Sequence, residues 1–491
     1  MVKAKAKTKR YNQCKKRTKK SIKKNYCKRG GNKNEAQNVA NMSDKWNSSK
    51  IAIQQLLGDN LVNDTSGMQK YLSKVCPNSG DCLAFGPTSA VVKEYFDNFT
   101  TFRYLEPQST VVLSSGANGS VNDLTYKRGK YTAHALLKTS IREESDNTLF
   151  EAFVGYNFIN IQNMYFPCFV ETYGAFKGDK SIKIPIPVTS EYVKLSCFQN
   201  KLNGNLVQHI QNATSMNTVI YHLEQEMKKF PYYKTYYLTI LWQLMYQIYA
   251  VLDGLKNEYT HYDLHTENVL LYPIPNGKKV ELKYYAKNGD LEYSFQTRYI
   301  VKIIDYGRCY TPLNQQYYDK VCETLMCGPT KDNICGITKG YQWFNGDAAL
   351  DKEFFYITSL KRNVSHDVRL ADEINNTFIH SRLTSINPNE NVLGNIVYKK
   401  YGIKEHEDIS NDDKIYNVTD MHHKLLRDLT FSPVIDIDAP MVASIDIYLD
   451  KSKPLQYNPI ETPQSIYPMA QPIGGTSTNL LRFFGIDNPI F

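Results

Sequence analysis

The sequence predicts an α+β fold, and three observations lead to that class. Apolar runs of strand length, separated by glycine turns, fill residues 111–140. A long charge-free stretch at residues 235–252 instead repeats its apolar residues at the i, i+3, i+4 and i+7 spacing of a helix. The chain has 491 residues, of which 42% are hydrophobic, so it can build a real core in one large domain or two to three ordinary ones.

The first 34 residues form a basic segment that differs from the rest of the chain. They contain fifteen Lys and Arg residues and no acid, and the chain's net charge of +10 less these fifteen charges leaves −5 on the remainder. Because the segment has almost no apolar residues to bury, we expect a disordered basic arm over residues 1–45. Such an arm is either a solvated tail or a binding element for nucleic acid, another polyanion or the nuclear import machinery.

The cysteines and the hydropathy pattern favour an intracellular protein. Ten cysteines are scattered without a Cys-x-x-Cys pair, which argues against a zinc site and is typical of a reducing compartment. The N-terminus lacks the apolar stretch of a secretory signal. Residues 235–252 include Gln243, Gln247 and four tyrosines, so we expect a buried helix rather than a transmembrane segment.

A loop rich in polar side chains follows this helix. Its sequence is HYDLHTEN, residues 261–268, and it leads into the apolar run VLLY. We call residues 261–268 the polar loop. A loop held between a packed helix and a packed strand is rigid enough to aim a reactive group. We therefore expect Asp263 to accept a proton from a hydroxyl and the side-chain oxygen of Asn268 to bind a hard cation such as Mg²⁺.

Three further segments carry charged or glycine-rich patterns. An apolar strand ends at Asp305 and a glycine turn follows, so this acid is a candidate second ligand for the cation. A glycine turn within residues 111–121 lies between two strand-like runs, where backbone N–H groups can bind phosphates. Lys138 ends the next strand and can reach phosphate oxygens, and Glu151 in a helical segment is its candidate partner.

The order of these segments resembles that of the protein-kinase-like superfamily. The glycine-rich loop is matched by LSSGANGSV with Ser114 in place of its first glycine, the strand-three lysine by HALLK, the catalytic loop by HYDLHTEN and the metal-binding DFG by DYG. The aspartate that opens a central helix of the large lobe is matched by Asp367 in SHDVRLADEI. The resemblance covers about residues 111–374. Within the superfamily, the chain is similar to divergent kinase-like proteins of large DNA viruses such as iridoviruses.

The resemblance implies a bilobal protein-kinase-like fold. The small antiparallel β lobe would span residues 109–207 and the larger, mainly α lobe residues 208–450. A partly helical extension at 46–108 would precede the lobes, and a proline-rich, extended tail at 451–491 would follow them. Asn-Gly turn signals within residues 276–295 predict an extra hairpin in the large lobe.

The resemblance also implies an activity, that of a serine/threonine protein kinase that uses ATP and Mg²⁺ on a protein substrate. Asp263 would be the catalytic base, and Asn268 and Asp305 would hold Mg²⁺. His261 and Asp367 would support the polar loop from behind. Such a protein would act in the host cytoplasm or nucleus, or travel in the virus particle.

The implied ATP contacts come from the small lobe and the connection after it. Lys138 would contact the α and β phosphates and would be oriented by Glu151, although the short separation leaves Glu143 and Glu144 open as its partner. The other implied contact positions are Ser114, Ser115, Gly116, Ala117, Asn118, Gly119, Val121, Gln208 and Ile210.

Three departures from the kinase pattern leave two alternatives open. Tyr262 stands where regulated kinases carry arginine, so control through a phosphorylated activation loop is expected to be absent or different. No Ala-Pro-Glu follows Asp305, which puts the peptide-binding platform in question. His265 replaces the usual lysine, as in aminoglycoside and choline phosphotransferases. A small-molecule kinase and a non-catalytic binding module of the pseudokinase type are therefore the alternatives.

Overall fold

The structure is a computed structural model, and it describes most of the chain between residues 86 and 460. The described residues are 86–99, 104–106, 111–115, 119–140, 151–152, 154–177, 183–185, 192–194, 203–274, 277–313, 364–380, 392–398 and 414–460. All of them belong to one unit, Leu57–Phe491. The predicted arm, most of the predicted extension, the end of the tail, Glu143 and Glu144 lie outside the described residues.

A five-stranded sheet forms the N-terminal part of the described chain. The first seven strands are β1 (Val111–Ser115), β2 (Gly119–Arg128), β3 (Tyr131–Ser140), β4 (Thr172–Lys177), β5 (Lys183–Pro185), β6 (Tyr192–Lys194) and β7 (Asn203–Gln208). The sheet has the order β1-β2-β3-β7-β4, and every neighbouring pair is antiparallel. Among the strands that the structure describes, β5 and β6 pair with each other alone, in the segment between β4 and β7. The predicted strands of residues 111–140 are thus confirmed as β1, β2 and β3.

The two faces of this sheet differ, because successive side chains of a strand point to opposite faces. Leu124 and Leu137 are fully buried in a core that includes residues of helix α1 (Pro87–Tyr95). The opposite face carries Lys138 on β3, and Asn205 on β7 stands directly across from it. The alternation of apolar residues along β2 and β3 therefore determines on which face Lys138 lies. We call the face of the sheet that carries Lys138 the open face.

One long helix organises the rest of the fold. After α1, a π-helical turn (Gly155–Ile159) continues into α2 (Asn160–Gln162), and the later helices are α3 (Met216–Lys229), α4 (Lys234–Gly254), α5 (Arg369–His380) and α6 (Val418–Thr430). Fifteen of the twenty-one residues of α4 are buried, so the predicted buried helix is confirmed. Among the helices that the structure describes, none has the length and apolar character needed to cross a membrane.

The remaining strands form smaller sheets. They are β8 (Thr214–Ser215), β9 (Val269–Pro273), β10 (Lys279–Tyr285), β11 (Leu291–Thr297), β12 (Tyr299–Ile303), β13 (Asn395–Ile396), β14 (Lys414–Ile415), β15 (Met441–Tyr448) and β16 (Gln456–Pro459). The predicted extra hairpin is confirmed as β10 and β11. β15 joins β10 in parallel and β16 joins β15, so the first residues of the predicted tail belong to a four-stranded sheet. The described chain is mixed α and β with several antiparallel sheets, in agreement with the predicted α+β class.

A buried histidine joins α4, α6 and β11. His422 places Nδ1 3.1 Å from Asp253 and Nε2 2.8 Å from Glu292. Burial alone lowers the pKa of His422, but the bonds to the two carboxylates outweigh it, so this pKa is raised. Burial alone raises the pKa of each carboxyl, but the bonds to His422 lead the opposing effects, and the pKa of both Asp253 and Glu292 is lowered. The three groups therefore stabilise one another as charged species.

We expect His422→Gln to lower the free energy of unfolding by about 3 kcal/mol, because Glu292 and Asp253 both lose their bond to the buried histidinium, and Asp253 retains only the more exposed Lys256 at 3.0 Å among the described cations. The raised pKa of His422 gives stability that is complete below its unfolded value of about 6.5 and is lost as pH rises through the folded value. The lowered pKa values of Asp253 and Glu292 give stability that is lost as pH falls below about 4. Urea unfolding at a series of pH values measures both effects.

The matched control for this prediction is His423→Gln, because His423 is the exposed neighbour of His422 on the same helix. Its unfolding free energy is expected to follow that of the wild type at every pH. Equal stability of the His422 and His423 variants at pH 6 would show that His422, Asp253 and Glu292 do not stabilise one another as charged groups.

Candidate active site

Glu151 lies in a helical segment that is fixed against β4. Asn160, at the end of this segment, donates from Nδ2 to the carbonyl of Thr172 (2.7 Å) and accepts from Thr172 N at Oδ1 (2.9 Å). Gly155 permits the close approach of the helix to the strand, because a Cβ at this position would lie 2.0 Å from Thr172 Oγ1. These contacts hold the buried Glu151 at the open face of the five-stranded sheet.

Lys138, Glu151 and Asp305 share one electrostatic environment. Lys138 Nζ lies 2.6 Å from Glu151 Oε1. Burial alone lowers the pKa of Lys138, but the carboxylates of Glu151 and Asp305 outweigh it, so this pKa is raised. Burial alone raises the pKa of Asp305, but Lys138 and Arg308 lead the opposing effects, and this pKa is lowered. Lys138, Glu151 and Asp305 therefore influence one another's charge state.

Asp367 holds the polar loop through its backbone. One carboxylate oxygen accepts from His261 N (2.7 Å) and the other from Tyr262 N (3.0 Å). The carbonyl of Asp367 accepts from the Tyr249 hydroxyl of α4 (2.9 Å). Burial raises the pKa of Asp367 to about 7, although the two N–H donors favour its charged form. The residue that the sequence predicted behind the polar loop therefore contacts it directly.

We expect Asp367→Ala to lower the free energy of unfolding by about 3 kcal/mol, because two buried N–H donors lose their acceptor. The matched control is Asp372→Ala in helix α5, which begins two residues after Asp367; the half-buried carboxylate of Asp372 accepts a bond from the exposed Asn376 side chain. Denaturant unfolding of both variants measures the difference. Equal unfolding free energies for the two variants would show that Asp367 does not fix the loop.

His261 connects the polar loop to the strand that ends before Asp305. Its Nε2 lies 3.0 Å from the carbonyl of Ile304, and Asp263 N lies 3.2 Å from its Nδ1. The carbonyl requires a donor and the N–H an acceptor, so the ring is neutral with its proton on Nε2. Burial lowers the pKa of His261, which agrees with a neutral ring. Ile304 N also donates to the carbonyl of Asn268 (3.0 Å), so the loop and the strand end are held at a fixed spacing.

The carboxylate of Asp263 faces three basic side chains. Arg369 Nη1 lies 2.9 Å from Oδ1, and Arg308 Nη1 lies 3.2 Å from Oδ2. His265 Nε2 is 4.0 Å from Oδ1. Asn268 donates from Nδ2 to the backbone carbonyl of Asp263 (2.9 Å), so its Oδ1 is the side-chain atom that suits a cation.

Two residues of this site have a left-handed backbone. Tyr262 has a φ of 62° and Asp305 a φ of 66°. This conformation costs of order 1–3 kcal/mol for a residue other than glycine and is concentrated at functional sites. Asp367 secures Tyr262 through its N–H, and Gly307 N donates to Asp305 Oδ1 (3.4 Å). The surrounding contacts therefore maintain a strained backbone at both predicted motifs.

An apolar cluster adjoins the charged groups. Its members include the buried Val170, Val207 and Ile210, with the half-buried Leu136, Leu270 and Ile304 packed around them. Leu136 lies two residues before Lys138 on the same face of β3, and Ile304 directly precedes Asp305. The site thus combines an apolar wall with a few convergent polar groups, which is typical of pockets for small ligands.

The other predicted contact positions are described only in part. The structure gives the backbone alone for Ser114, Ser115 and Gly119, and it leaves out Gly116, Ala117 and Asn118. Val121 stands opposite Lys138 in the β2–β3 hairpin, so the first residues of β2 pair with the lysine end of β3. The Gln208 N–H and the Ile210 carbonyl are each bonded within the chain, so a ligand at this connection would use other backbone atoms.

Sequence reasoning missed three residues of the site. Arg308 directly follows the DYG motif, and Arg369 comes two residues after Asp367. For both arginines, the signal that the sequence offered was a basic residue within two residues of a predicted motif. Asn205 left no such signal, since it is a polar residue within an ordinary strand. It is fully buried opposite Lys138. Burial raises the pKa of Glu151, and Asn205 is, after Lys138, a smaller influence in the opposite direction.

Two further groups of potential metal ligands occur in the part of the chain that the structure describes. One consists of Asp123, His134 and His209 on the open face, and the other of Asp253, His422 and His423. His209 Nδ1 is 2.8 Å from Asp123 Oδ1, and His422 Nδ1 is 3.1 Å from Asp253 Oδ2. Hydrogen bonding between members explains both arrangements.

Comparison with protein-family models finds no match to this chain, and comparison with curated proteins finds none either. A functional assignment therefore depends on the chemistry of the site itself. Its components are a lysine paired with a glutamate, two further carboxylates and an amide held at fixed spacing, and an adjoining apolar cluster.

Proposed function

We propose that this protein is an ATP-dependent phosphotransferase that transfers the γ-phosphate to a serine or threonine hydroxyl of a protein. The observation that carries the proposal is the series of charge interactions that links Lys138, Asp305 and Asp263. Asp305 acts on the pKa of Lys138, and Arg308 acts on that of Asp305 while its Nη1 lies 3.2 Å from Asp263. Phosphoryl transfer needs positioning and charge stabilisation more than covalent chemistry, and this set of groups suits both.

The fold supports the same proposal. A five-stranded antiparallel sheet precedes a part in which the long helix α4 leads into the polar loop, as expected for a bilobal kinase-like protein. Lys138 belongs to the sheet, whereas Asp263 and Asp305 belong to the part that follows α4. A nucleotide between them would contact both.

ATP is the phosphate donor in the proposed reaction. The acceptor oxygen attacks the γ-phosphorus, its proton passes to the carboxylate of Asp263, and the bond from the γ-phosphorus to the bridging oxygen breaks to release ADP. Lys138 neutralises phosphate charge, and Glu151 orients its ammonium group. A positioned general base contributes roughly 10²–10⁴-fold to such a rate.

The donor atoms present fit Mg²⁺. Asp305 offers a carboxylate whose lowered pKa keeps it anionic, and Asn268 offers Oδ1 because its Nδ2 bonds the carbonyl of Asp263. Both are hard oxygen ligands of the kind that Mg²⁺ prefers. When bound, Mg²⁺ would neutralise charge on the transferring phosphoryl group. The apolar cluster beside them suits the flat, apolar faces of a nucleobase.

Incubation with γ-labelled ATP, Mg²⁺ and a mixture of proteins tests the proposal. We expect label to appear on protein and to require Mg²⁺. Labelling that is absent, or that persists unchanged in Asp263→Asn, would refute a phosphotransferase that uses this site.

ATP turnover with a metabolite panel and the melting temperature with nucleotide separate the two alternatives. A small-molecule kinase, suggested by His265, would consume ATP in the presence of a metabolite panel without labelling protein. A pseudokinase module would show a rise in melting temperature with nucleotide but no release or transfer of the γ-phosphate, or would show no response to nucleotide at all.

A further inference from the structure

We infer that the acceptor carries a negatively charged group beside its reactive hydroxyl, as in an acidic peptide segment around a serine or threonine. This inference rests on the proposed function and extends it to the substrate class. It is drawn from the arginine pair, Arg308 and Arg369, which contacts both carboxylate oxygens of Asp263.

The arginine pair concentrates positive charge beside Asp263. Both guanidinium groups contact its carboxylate, and His265 is a third basic group at 4.0 Å. Arg308 also acts on the carboxylate of Asp305, so Arg369 is the arginine more available to an acceptor. The nearby acid Glu373 is engaged elsewhere, since it accepts from Thr266 N (3.2 Å) and from Thr266 Oγ1 (2.9 Å). The side chain of Arg369 is 33% exposed while that of Asp263 is only 6% exposed, so an incoming molecule can reach Arg369 more readily than the base.

This arrangement affects how Asp263 can act as a base. A hydroxyl must bond a carboxylate oxygen to give up its proton, and in the structure both oxygens face an arginine. An anion on the acceptor would compete for the guanidinium groups, which bind carboxylates and phosphates in a planar, often bidentate geometry. Binding of an acidic acceptor would therefore release an oxygen of Asp263 at the moment when its hydroxyl arrives.

The same charges act against cationic acceptors. An ammonium group on the acceptor would meet two guanidinium groups near the base, and such like-charge contacts weaken binding of the wrong partner. The arginine pair thus separates this site from one built for amines, even though His265 resembles the residue found in aminoglycoside and choline phosphotransferases.

Three serine peptides of equal length test the inference, with glutamate, glutamine or lysine at the positions flanking the serine. We expect the wild-type protein to favour the glutamate peptide over the glutamine peptide by about tenfold or more in kcat/KM. We expect Arg308→Gln and Arg369→Gln each to reduce this ratio toward one, mainly by raising KM for the glutamate peptide. Added salt should reduce the ratio as well, since charge attraction is screened. Arg427→Gln, at an exposed position of α6, is the matched control and should keep the wild-type ratio.

The inference is overturned if the wild type uses the glutamine or lysine peptide as well as the glutamate peptide, or if both arginine variants keep the preference. It is also overturned if no peptide is labelled while transfer to mixed proteins still depends on Asp263. In each of these cases the proposed phosphotransferase function stands. Absence of any Asp263-dependent transfer defeats the proposed function, and the inference with it.

Discussion

Asp263→Asn is expected to lower γ-phosphate transfer by about a thousandfold, which corresponds to about 4 kcal/mol of barrier. Asparagine has nearly the same size and shape as aspartate but cannot take the proton of the attacking hydroxyl. The backbone carbonyl that bonds Asn268 is unchanged by the substitution, so nucleotide and Mg²⁺ binding should persist. Initial rates of transfer at saturating ATP measure the effect.

The matched control for this prediction is Asp436→Asn, since that side chain is 84% exposed and its nearest described cation, Lys279 Nζ, is 3.9 Å away. This variant should transfer phosphate at the wild-type rate. Circular dichroism and melting temperature establish that the Asp263 variant is folded. A folded Asp263 variant with wild-type transfer would remove this residue from the chemistry.

The second large effect is expected for Lys138→Met, which should lower transfer by about 100-fold or more and destabilise the fold by about 3 kcal/mol. Transfer falls because the phosphates lose their cationic contact. Stability falls because the carboxylate of Glu151, only 8% exposed, is left without its partner. Steady-state kinetics and urea unfolding give the two quantities separately.

Lys93→Met is a stringent control, because Lys93 forms a comparably buried ion pair in the same part of the fold. Its Nζ lies 2.5 Å from Glu171 Oε1, and the two side chains are 13% and 7% exposed. We expect it to destabilise the protein to a similar degree while leaving the transfer rate of the folded protein unchanged. Equal loss of transfer in the Lys93 and Lys138 variants would mean that the effect of Lys138 is structural.

The site could be predicted from the sequence where its parts are local. Asp263 and Asn268 are five residues apart in one loop, and Asp305 follows a mainly apolar strand, so each leaves a short pattern. Lys138 is similarly marked by the alternation of apolar and polar residues along β3. The order of the motifs places these residues in one site, and that shared site stays a prediction. The structure shows bonds between some of its parts, such as Lys138 with Glu151 and Ile304 N with the carbonyl of Asn268.

The parts that escaped prediction depend on contacts between distant segments. Arg369 bonds Asp263 across 106 residues, and no local pattern indicates which acid such an arginine will meet. The pairing of β10 with β15 joins a hairpin to a strand more than 150 residues later, and strand partners are chosen by packing rather than by the strand's own sequence. Because of its proline content, we expected the tail from residue 451 to be extended. Its residues Gln456–Pro459 instead form β16, an edge strand that pairs with β15, and edge strands tolerate proline.

Rigid support of the polar loop explains why so many neighbours of the site are buried and polar. Asp367 secures the loop backbone, and neutral His261 links it to Ile304. Catalytic groups must be held within a fraction of an ångström of their working geometry, and hydrogen bonds from buried partners provide that rigidity. The left-handed backbone of Tyr262 and Asp305 is maintained by the same contacts.

We propose that Lys138, Asn268 and Asp305 hold one nucleotide together with Mg²⁺ beside Asp263. Calorimetric titration with a non-hydrolysable ATP analogue, in Mg²⁺ and in EDTA, tests it most directly when wild type and Asp305→Asn are compared. We predict that Mg²⁺ tightens binding to the wild type by tenfold or more, about 1.4 kcal/mol, and that Asp305→Asn loses this gain while still folding. Wild-type binding that is the same with and without Mg²⁺, or no binding in either condition, would contradict a shared nucleotide and Mg²⁺ site at these residues.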